Sequence, residues 1–276
     1  MFYWVPDSVM LRVQYRIKMG FWPDFKHPKR FTEKLQLYKM RYHNPIMPQC
    51  VDKYEVRKYV ESKGLRHILN ELYGVYDSFD EIDFKSIPSK FVVKSTTGGG
   101  GFNVIVIKDK SICDWYEIGK RIISWRKHKK GVVSSGREWA YSGMGRTRII
   151  IERYLEDVQN GELTDYKFFC FNGQPYCVQV DTGRFDGHRQ NYYDMKWQSL
   201  GVHCTYPEGE LHEKPQNFEQ MKKVAELLSA DFPFVRVDLY NVQGIICFGE
   251  LTFYPSSGYG RFHPDDFDYK LGDRFT

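Results

Sequence analysis

Two carboxylates, an arginine and a hydroxyl fall at alternating positions of two strand-like runs near the C-terminus. Arg236 and Asp238 lie in 234–240, and Glu250 and Thr252 lie in 245–253. Side chains of a strand point alternately to its two faces. A hairpin joining the runs through a three-residue loop, Val242-Gln243-Gly244, puts Gly244 at the left-handed position such a loop requires. Asn241 then pairs with Ile245, Asp238 faces Phe248, and Arg236 faces Glu250. Asp238 and Glu250 become diagonal neighbours. One face holds Val235, Val237, Leu239, Ile245, Cys247, Leu251 and Phe253; the other holds Arg236, Asp238, Glu250 and Thr252. Burial of the apolar set fixes the register, because a one-residue slip mixes the two sets. The polar face has two readings. One is a cross-strand Arg236–Glu250 ion pair on a solvated sheet. The other is a hard-cation site, since Mg²⁺ takes oxygen ligands, usually one or two carboxylates together with phosphate.

A second group surrounds Ser95-Thr96-Thr97-Gly98-Gly99-Gly100-Gly101, entered from a strand that ends in Lys94. Four successive glycines leave backbone N–H groups able to wrap a phosphate, and the hydroxyls add donors. The lysine precedes the glycines and no Gly-Lys-Ser/Thr follows, so this is not a Walker loop; a plain flexible turn is the competing reading. A third group is Asp165-Tyr166-Lys167, whose alternation puts Asp165 and Lys167 on one face. Asp181, Arg184, Asp186, His188, Arg189 and Asn191 follow further on, and read equally as a polar loop. No Ser-His-Asp or Cys-His arrangement stands out, and His188 and His263 are isolated.

These residues need elements to hold them. Apolar spacing predicts a helical segment over 8–45, with Val9, Leu11 and Val13 on its apolar side and Thr32 as an N-cap, ended by Pro45 and Pro48. A second helix is predicted over 52–62, opened by Asp52. Strands over 91–94 and 104–107 form a hairpin around the glycine loop. A helix over 114–125 and a strand over 148–152 follow, the strand running on through Tyr154 and Leu155. Asn172-Gly173, between strands 166–171 and 174–181, is the strongest short hairpin signal. A helix over 217–230 precedes the last hairpin. The order of elements predicts an α+β fold with mixed sheets, and no strand carries a dinucleotide-binding glycine pattern.

The chain has 276 residues, enough for one large domain or two intertwined ones. No window approaches the ~18 apolar residues of a membrane helix, and the first residues lack the form of a secretory signal. A net charge of +5 is too mild to indicate nucleic acid. The basic clusters 26–30 and 126–130 read as solvated surface or as contacts to an anionic polysaccharide or membrane. The six cysteines show no zinc spacing, and three lie in apolar strands, as reduced thiols of a cytoplasmic protein would.

Asp52-Lys53, Lys94 with its glycine loop, Glu152-Arg-Tyr-Leu155, Asp165-Tyr-Lys167, Arg236-Val-Asp238 and Glu250-Leu-Thr252, in that order, resemble the ATP-grasp superfamily. The run from about residue 28 to the C-terminus resembles its TupA-like family, associated with teichuronopeptide and surface polysaccharide synthesis. The resemblance implies two α+β lobes clamping ATP, with an N-terminal helical segment. The implied divisions are 1–50 for that segment, 51–87 for the first part of the ATP-grasp region, 88–157 for a lid with the glycine flap, and 158–276 for the C-terminal metal-site subdomain. It further implies that Lys53, Lys94, Thr97 and Gly98, Gly99, Gly100 and Gly101 hold phosphates. Glu152, Tyr154 and Leu155 would form the adenine hinge, and Asp165 would take the ribose. Lys167 and Arg184 would contact the γ-phosphate or the acyl-phosphate, and Arg236 the transferring phosphoryl group. Asp238, Glu250 and Thr252 would bind Mg²⁺, with a hydroxyl at Thr252 where the superfamily usually has an asparagine amide. The implied activity is an ATP- and Mg²⁺-dependent carboxylate–amine ligase. It would join a uronic-acid-containing glycan or sugar precursor to a small amine, an amino acid or amino alcohol. Alternatives are a sugar kinase on the same fold, a glycosyltransferase, and a glycan-binding protein with a vestigial nucleotide site. The expected location is the cytoplasm, with peripheral contact at the inner membrane as a further option.

Overall fold

The computed structural model describes residues 4–98, 103–127, 136–156, 163–183 and 187–276. The chain divides into two units: Met1–His43 with Glu156–Thr276, and Asn44–Leu155. The predicted helical segment 8–45 is two helices, α1 (Asp7–Met19) and α2 (Phe31–Arg41). Gly20, at φ 93°, stops α1 in the left-handed conformation and returns its N–H to the Arg16 carbonyl. Pro23 and Pro28 keep the chain non-helical until Glu33 organises a new start. Its carboxylate accepts the N–H groups of Asp24, Lys29 and Arg30 at 2.9, 3.0 and 3.1 Å. Thr32 therefore lies inside α2 and is not its cap; its N–H and hydroxyl both donate to buried Asp268, at 3.0 and 2.7 Å. Of the predicted apolar side of α1 only Leu11 is buried, with Tyr15 and Met19; Val9 and Val13 face solvent.

The contiguous unit begins with the short helices α3 (Met47–Val51) and α4 (Val56–Ser62). Asp52 opens the second of these as expected for an acidic cap, accepting the N–H groups of Tyr54 and Glu55 at 2.9 and 3.0 Å. The regular helix nevertheless starts only at Val56. Then come β1 (Leu72–Tyr76), β2 (Phe91–Ser95), β3 (Val104–Ile107), α5 (Trp115–Lys127), α6 (Trp139–Ser142) and β4 (Ile149–Arg153). The sheet order is β1-β4-β2-β3. Phe91, Val93, Ile105, Ile107, Ile149 and Ile151 point into a core with Ile122 and Trp125 of α5. Alternation turns Lys94 and Glu152 to the other face. β4 ends at Arg153, so Tyr154 and Leu155 lie beyond the strand that was expected to include them.

The other unit adds β5 (Asp165–Phe171), β6 (Gln174–Thr182), β7 (Arg189–Asp194), α7 (Phe218–Ser229), β8 (Phe234–Val242), β9 (Ile245–Thr252) and α8 (Asp266–Arg274). Its order is β7-β6-β5-β8-β9. The fold is α+β as predicted, but the sheets are not mixed: every neighbouring pair is antiparallel. Asn172 and Gly173, at φ 47° and 77°, form the expected two-residue turn. Phe168, Cys170, Val178, Val180, Val237 and Leu239 are wholly buried on one side of this sheet, where Phe168 stacks on Phe218 of α7 at 5.9 Å. Phe31 of α2 lies among Phe169, Phe171, Phe234 and Phe275, with ring centroids 4.9–6.1 Å away.

The last hairpin departs from the predicted register. Its loop has two residues, Gln243 (φ 52°) and Gly244 (φ 82°), and Val242 pairs with Ile245. That places Leu239 opposite Phe248 and Tyr240 opposite Cys247. A bulge between Asp238 and Leu239 then shifts the count, so that Asp238 faces Glu250 and Arg236 faces Thr252. Asp238 and Glu250 are thus a direct cross-strand pair, not diagonal neighbours. Ile245 and Cys247 belong by register to the Asp238 side, not to the apolar set. The bulge sits at Gly249, where a Cβ would lie 2.9 Å from the Asp238 carbonyl oxygen. A side chain there would collide with backbone, so the shifted register needs glycine.

Candidate active site

The expected site residues fall into two groups, one in each unit. In the contiguous unit, Lys53 follows the Asp52 cap, and its N–H donates to the Thr96 carbonyl at 2.9 Å. Its ammonium donates to the Gly98 carbonyl at the entry of the glycine loop. The loop is clamped at its base: Ser95 N–H donates to the Asn103 carbonyl at 3.0 Å, and the Thr97 and Thr147 hydroxyls share a bond of 2.7 Å. Gly98 takes φ 103°, which a side chain would strain. Gly99, Gly100 and Gly101 lie outside the described residues. On the open face of the sheet, the Lys94 ammonium donates to Glu152 at 2.7 Å. The other Glu152 oxygen lies 3.7 Å from the Arg57 guanidinium, which in turn donates to the Asn70 carbonyl at 3.0 Å. Arg57 was not singled out in the sequence, because a lysine- and arginine-rich helix start gives no sign of which cation turns inward.

In the other unit, antiparallel register lines up a second polar face. Lys167 lies opposite Gln179 on one side and Asp238 on the other; Asp165 lies opposite Asp181. The Lys167 ammonium donates to Asp181 and lies 3.8 Å from Asp165. Asp165, Lys167, Gln179 and Asp181 are all buried. Gln179 donates to the second Asp181 oxygen at 2.8 Å, and the Tyr192 hydroxyl donates to Gln179 at 2.7 Å. The His188 ring nitrogen lies 3.5 Å from Asp181. Burial favours the neutral carboxyl of Asp181, but the Lys167 ammonium and the Gln179 amide outweigh it, so the net direction is down. Asp181 was noted in the sequence only as part of a polar run after the hairpin, and Gln179 and Tyr192 were not expected. Plain alternation through a two-residue Asn-Gly turn would pair Lys167 with Val178; a bulge between Phe169 and Cys170 shifts the register by one residue and brings Gln179 and Asp181 to the Lys167 face.

Next to this group, Arg236 holds Asp238 through two parallel bonds, 2.7 Å from Nε and 2.6 Å from Nη2. The same Nη2 donates to the Thr252 hydroxyl at 3.2 Å and lies 3.8 Å from Glu250. The Thr252 hydroxyl donates to Glu250 at 3.2 Å. Burial pushes Asp238 up to about 6, and the Glu250 charge adds to this against the pull of Arg236. Arg184 lies outside the described residues. Among the described residues there is no cluster of three or more His, Cys, Asp and Glu side chains that could hold a metal by themselves. The donor set Asp238, Glu250 and Thr252 is all oxygen with two carboxylates. That suits a hard cation completing its shell with phosphate and water, and it does not suit zinc.

The chain belongs to the TupA-like ATP-grasp family, which matches residues 33–276. It therefore has the ATP-grasp fold. No curated protein matches it in sequence. Solved structures similar to it include D-alanine–D-alanine ligase from Bacillus anthracis, at 18% identity and TM-score 0.44, covering 82% of this chain and 66% of that one. The corresponding ligase from Helicobacter pylori is 15% identical at TM-score 0.44, covering 82% and 58%. An L-amino acid ligase from Bacillus licheniformis is 12% identical at TM-score 0.46, covering 91% and 56%. The chain thus spans less than two thirds of the length of each of these ligases.

Proposed function

We propose that the protein is an ATP-dependent carboxylate–amine ligase. It amidates a uronic-acid carboxylate of a bacterial surface or capsular polysaccharide, or of its precursor, with an amino acid or amino alcohol, and works in the cytoplasm. The observation that carries the reading is the direct cross-strand pairing of Asp238 with Glu250 beside Arg236, Thr252 and Lys167 on one sheet face. Such a face holds anionic oxygens and a hard cation together, as phosphoryl transfer requires.

In this reading Lys53 and Lys94 bind phosphates, and Thr97 with Gly98 to Gly101 covers them. Glu152, Tyr154 and Leu155 read adenine, and Asp165 takes the ribose. Asp238, Glu250 and Thr252 hold Mg²⁺, which neutralises negative charge on the phosphates when bound. Lys167 and Arg184 hold the γ-phosphate, and Arg236 steadies it during transfer. Asp181 keeps the Lys167 ammonium aimed. A carboxylate oxygen of the acceptor attacks the γ-phosphorus and ADP leaves. The amine then attacks the acyl carbon, inorganic phosphate leaves, and the amine nitrogen loses a proton. The chain's contribution is positioning and charge compensation.

The test is an ATP-consumption screen of uronic acids paired with amino acids and amino alcohols, with mass spectrometry of the product. ADP and phosphate released together with an amide is the expected result. A phosphorylated sugar formed without any amine would replace the ligase reading with a kinase.

A further inference from the structure

The helix α1 has two apolar faces. Leu11, Tyr15 and Met19 are buried, and polar contacts fix that side in place: the Tyr15 hydroxyl bonds Thr32 at 2.8 Å, and the Tyr259 hydroxyl donates to Gln14 at 3.0 Å. The opposite side carries Val9, Val13 and Ile17, one helical turn apart, at 49%, 41% and 74% exposure. Trp4 before the helix and Trp22 after it are 81% and 63% exposed. Arg12 and Arg16 flank this second stripe on one edge, both exposed; Lys18 lies nearer the packed side, its ammonium 5.3 Å from the centre of the Tyr259 ring, and exposed Lys26 and Lys29 follow. Between residues 7 and 29 there are five lysines and arginines against two aspartates. The family match starts only at residue 33, so α1 is an addition to the part that defines the enzyme class.

An apolar stripe with one residue per helical turn, edged by arginines and with tryptophan near both ends, is the composition of a helix that lies in a bilayer interface. Indole rings settle at headgroup depth, while arginine and lysine reach anionic headgroups. At 13 residues the helix is about 20 Å long, too short to span, and no helix among the described residues is long and apolar enough to cross a membrane. A two-fold contact with a second copy would bring the basic edges of both helices together, with only Asp7 on the helix to offset them, and is disfavoured. We propose that the outward face of α1 docks the protein on an anionic phospholipid surface. This inference does not depend on the ligase reading.

The experiment uses the full chain with vesicles of phosphatidylcholine containing about a third phosphatidylglycerol, and with vesicles of phosphatidylcholine alone. Co-flotation is expected with the anionic vesicles and to fall steeply with added salt. Ile17→Glu combined with Val13→Glu should reduce binding at least tenfold while leaving the thermal melt unchanged, since both side chains face solvent. Arg12→Gln with Arg16→Gln should reduce it by about fivefold per charge removed. In the unmodified protein, lipids brominated on the acyl chain should quench tryptophan fluorescence, which keeps the test valid whatever the variants do. Absence of flotation with anionic vesicles, or binding that survives the double glutamate variant, overturns the proposal. So does a concentration-dependent dimer that the glutamates abolish in the absence of lipid binding.

Discussion

The two polar faces are built from the same side chains and by different physics. In the contiguous unit, Lys94 is partly solvated and Glu152 has two cations, Lys94 at 2.7 Å and Arg57 at 3.7 Å. Either cation can be lost without stranding the carboxylate. In the other unit Lys167 is the buried hub of two carboxylates, Asp165 and Asp181, and Asp181 is itself fixed through Gln179 to Tyr192. Beside Lys167, Asp181 has the His188 ring nitrogen at 3.5 Å and no second lysine or arginine ion pair among the described residues. The first arrangement leaves a lysine able to change partner when an anion arrives; the second keeps one in a set place. A phosphate-holding lid suits the former and a phosphoryl-transfer centre the latter.

The largest effect should come from Glu250→Gln, which keeps shape and removes one of the two facing charges. Turnover of ATP should fall by several orders of magnitude with the fold intact, measured as ADP release against the far-ultraviolet spectrum. Near-native turnover would remove the metal role from the β8–β9 hairpin. Val237→Asp, wholly buried on the other face, should instead fail to give folded protein, because it buries an unpaired charge.

Lys167→Met tests the difference in redundancy directly. It leaves Asp181 buried without its cation and should cost about 3–5 kcal/mol in denaturant unfolding. A loss equal to that of the same change at Lys94 would break the comparison. Acid sensitivity should follow Asp181. Its native pKa is lowered, so its contribution is fully present above the unfolded value, near about 4, and is lost as the pH falls through the native value. The stability gap between the protein and Asp181→Asn should therefore be constant from neutral pH down to about 4 and shrink below it. A gap that widens in acid would mean that Lys167 does not hold this carboxylate ionised. The smallest effect belongs to Lys94→Met, about 1 kcal/mol or less in stability, because Arg57 still faces Glu152. ATP affinity should nonetheless weaken, read by calorimetry.

The hairpins were legible because their signals are local. Asn172-Gly173 sets its own turn, and alternation alone puts Arg236, Asp238, Glu250 and Thr252 on one face. The exact pairing was not, because a bulge trades one residue on one strand for none on the other and leaves the alternating pattern around Asp238 and Glu250 unchanged. Gly249, the residue that permits it, looks in the sequence like any other glycine. β7 escaped notice because Arg189-Gln-Asn-Tyr-Tyr-Asp194 is polar and lacks β-branched residues. Its Gln190 and Asn191 are buried only because Cys204, Thr205 and Gly209 supply their hydrogen-bond partners, and those partners are distant in sequence. α1 and α2 were merged because their apolar positions continue one pattern, whereas Gly20 and Glu33 decide where each helix ends and begins.

The division of the chain into one contiguous and one interrupted unit sets an order of events on the ribosome. Asn44–Leu155 can close its own core as soon as it has emerged. Phe31, on α2, has to wait for Phe169, Phe171, Phe234 and Phe275, more than a hundred residues later. At about 5–20 residues per second that is on the order of ten seconds. For that interval the first two helices trail from a finished neighbour with their aromatic faces uncovered, and it is then that the nascent chain is most exposed to chaperones and to aggregation.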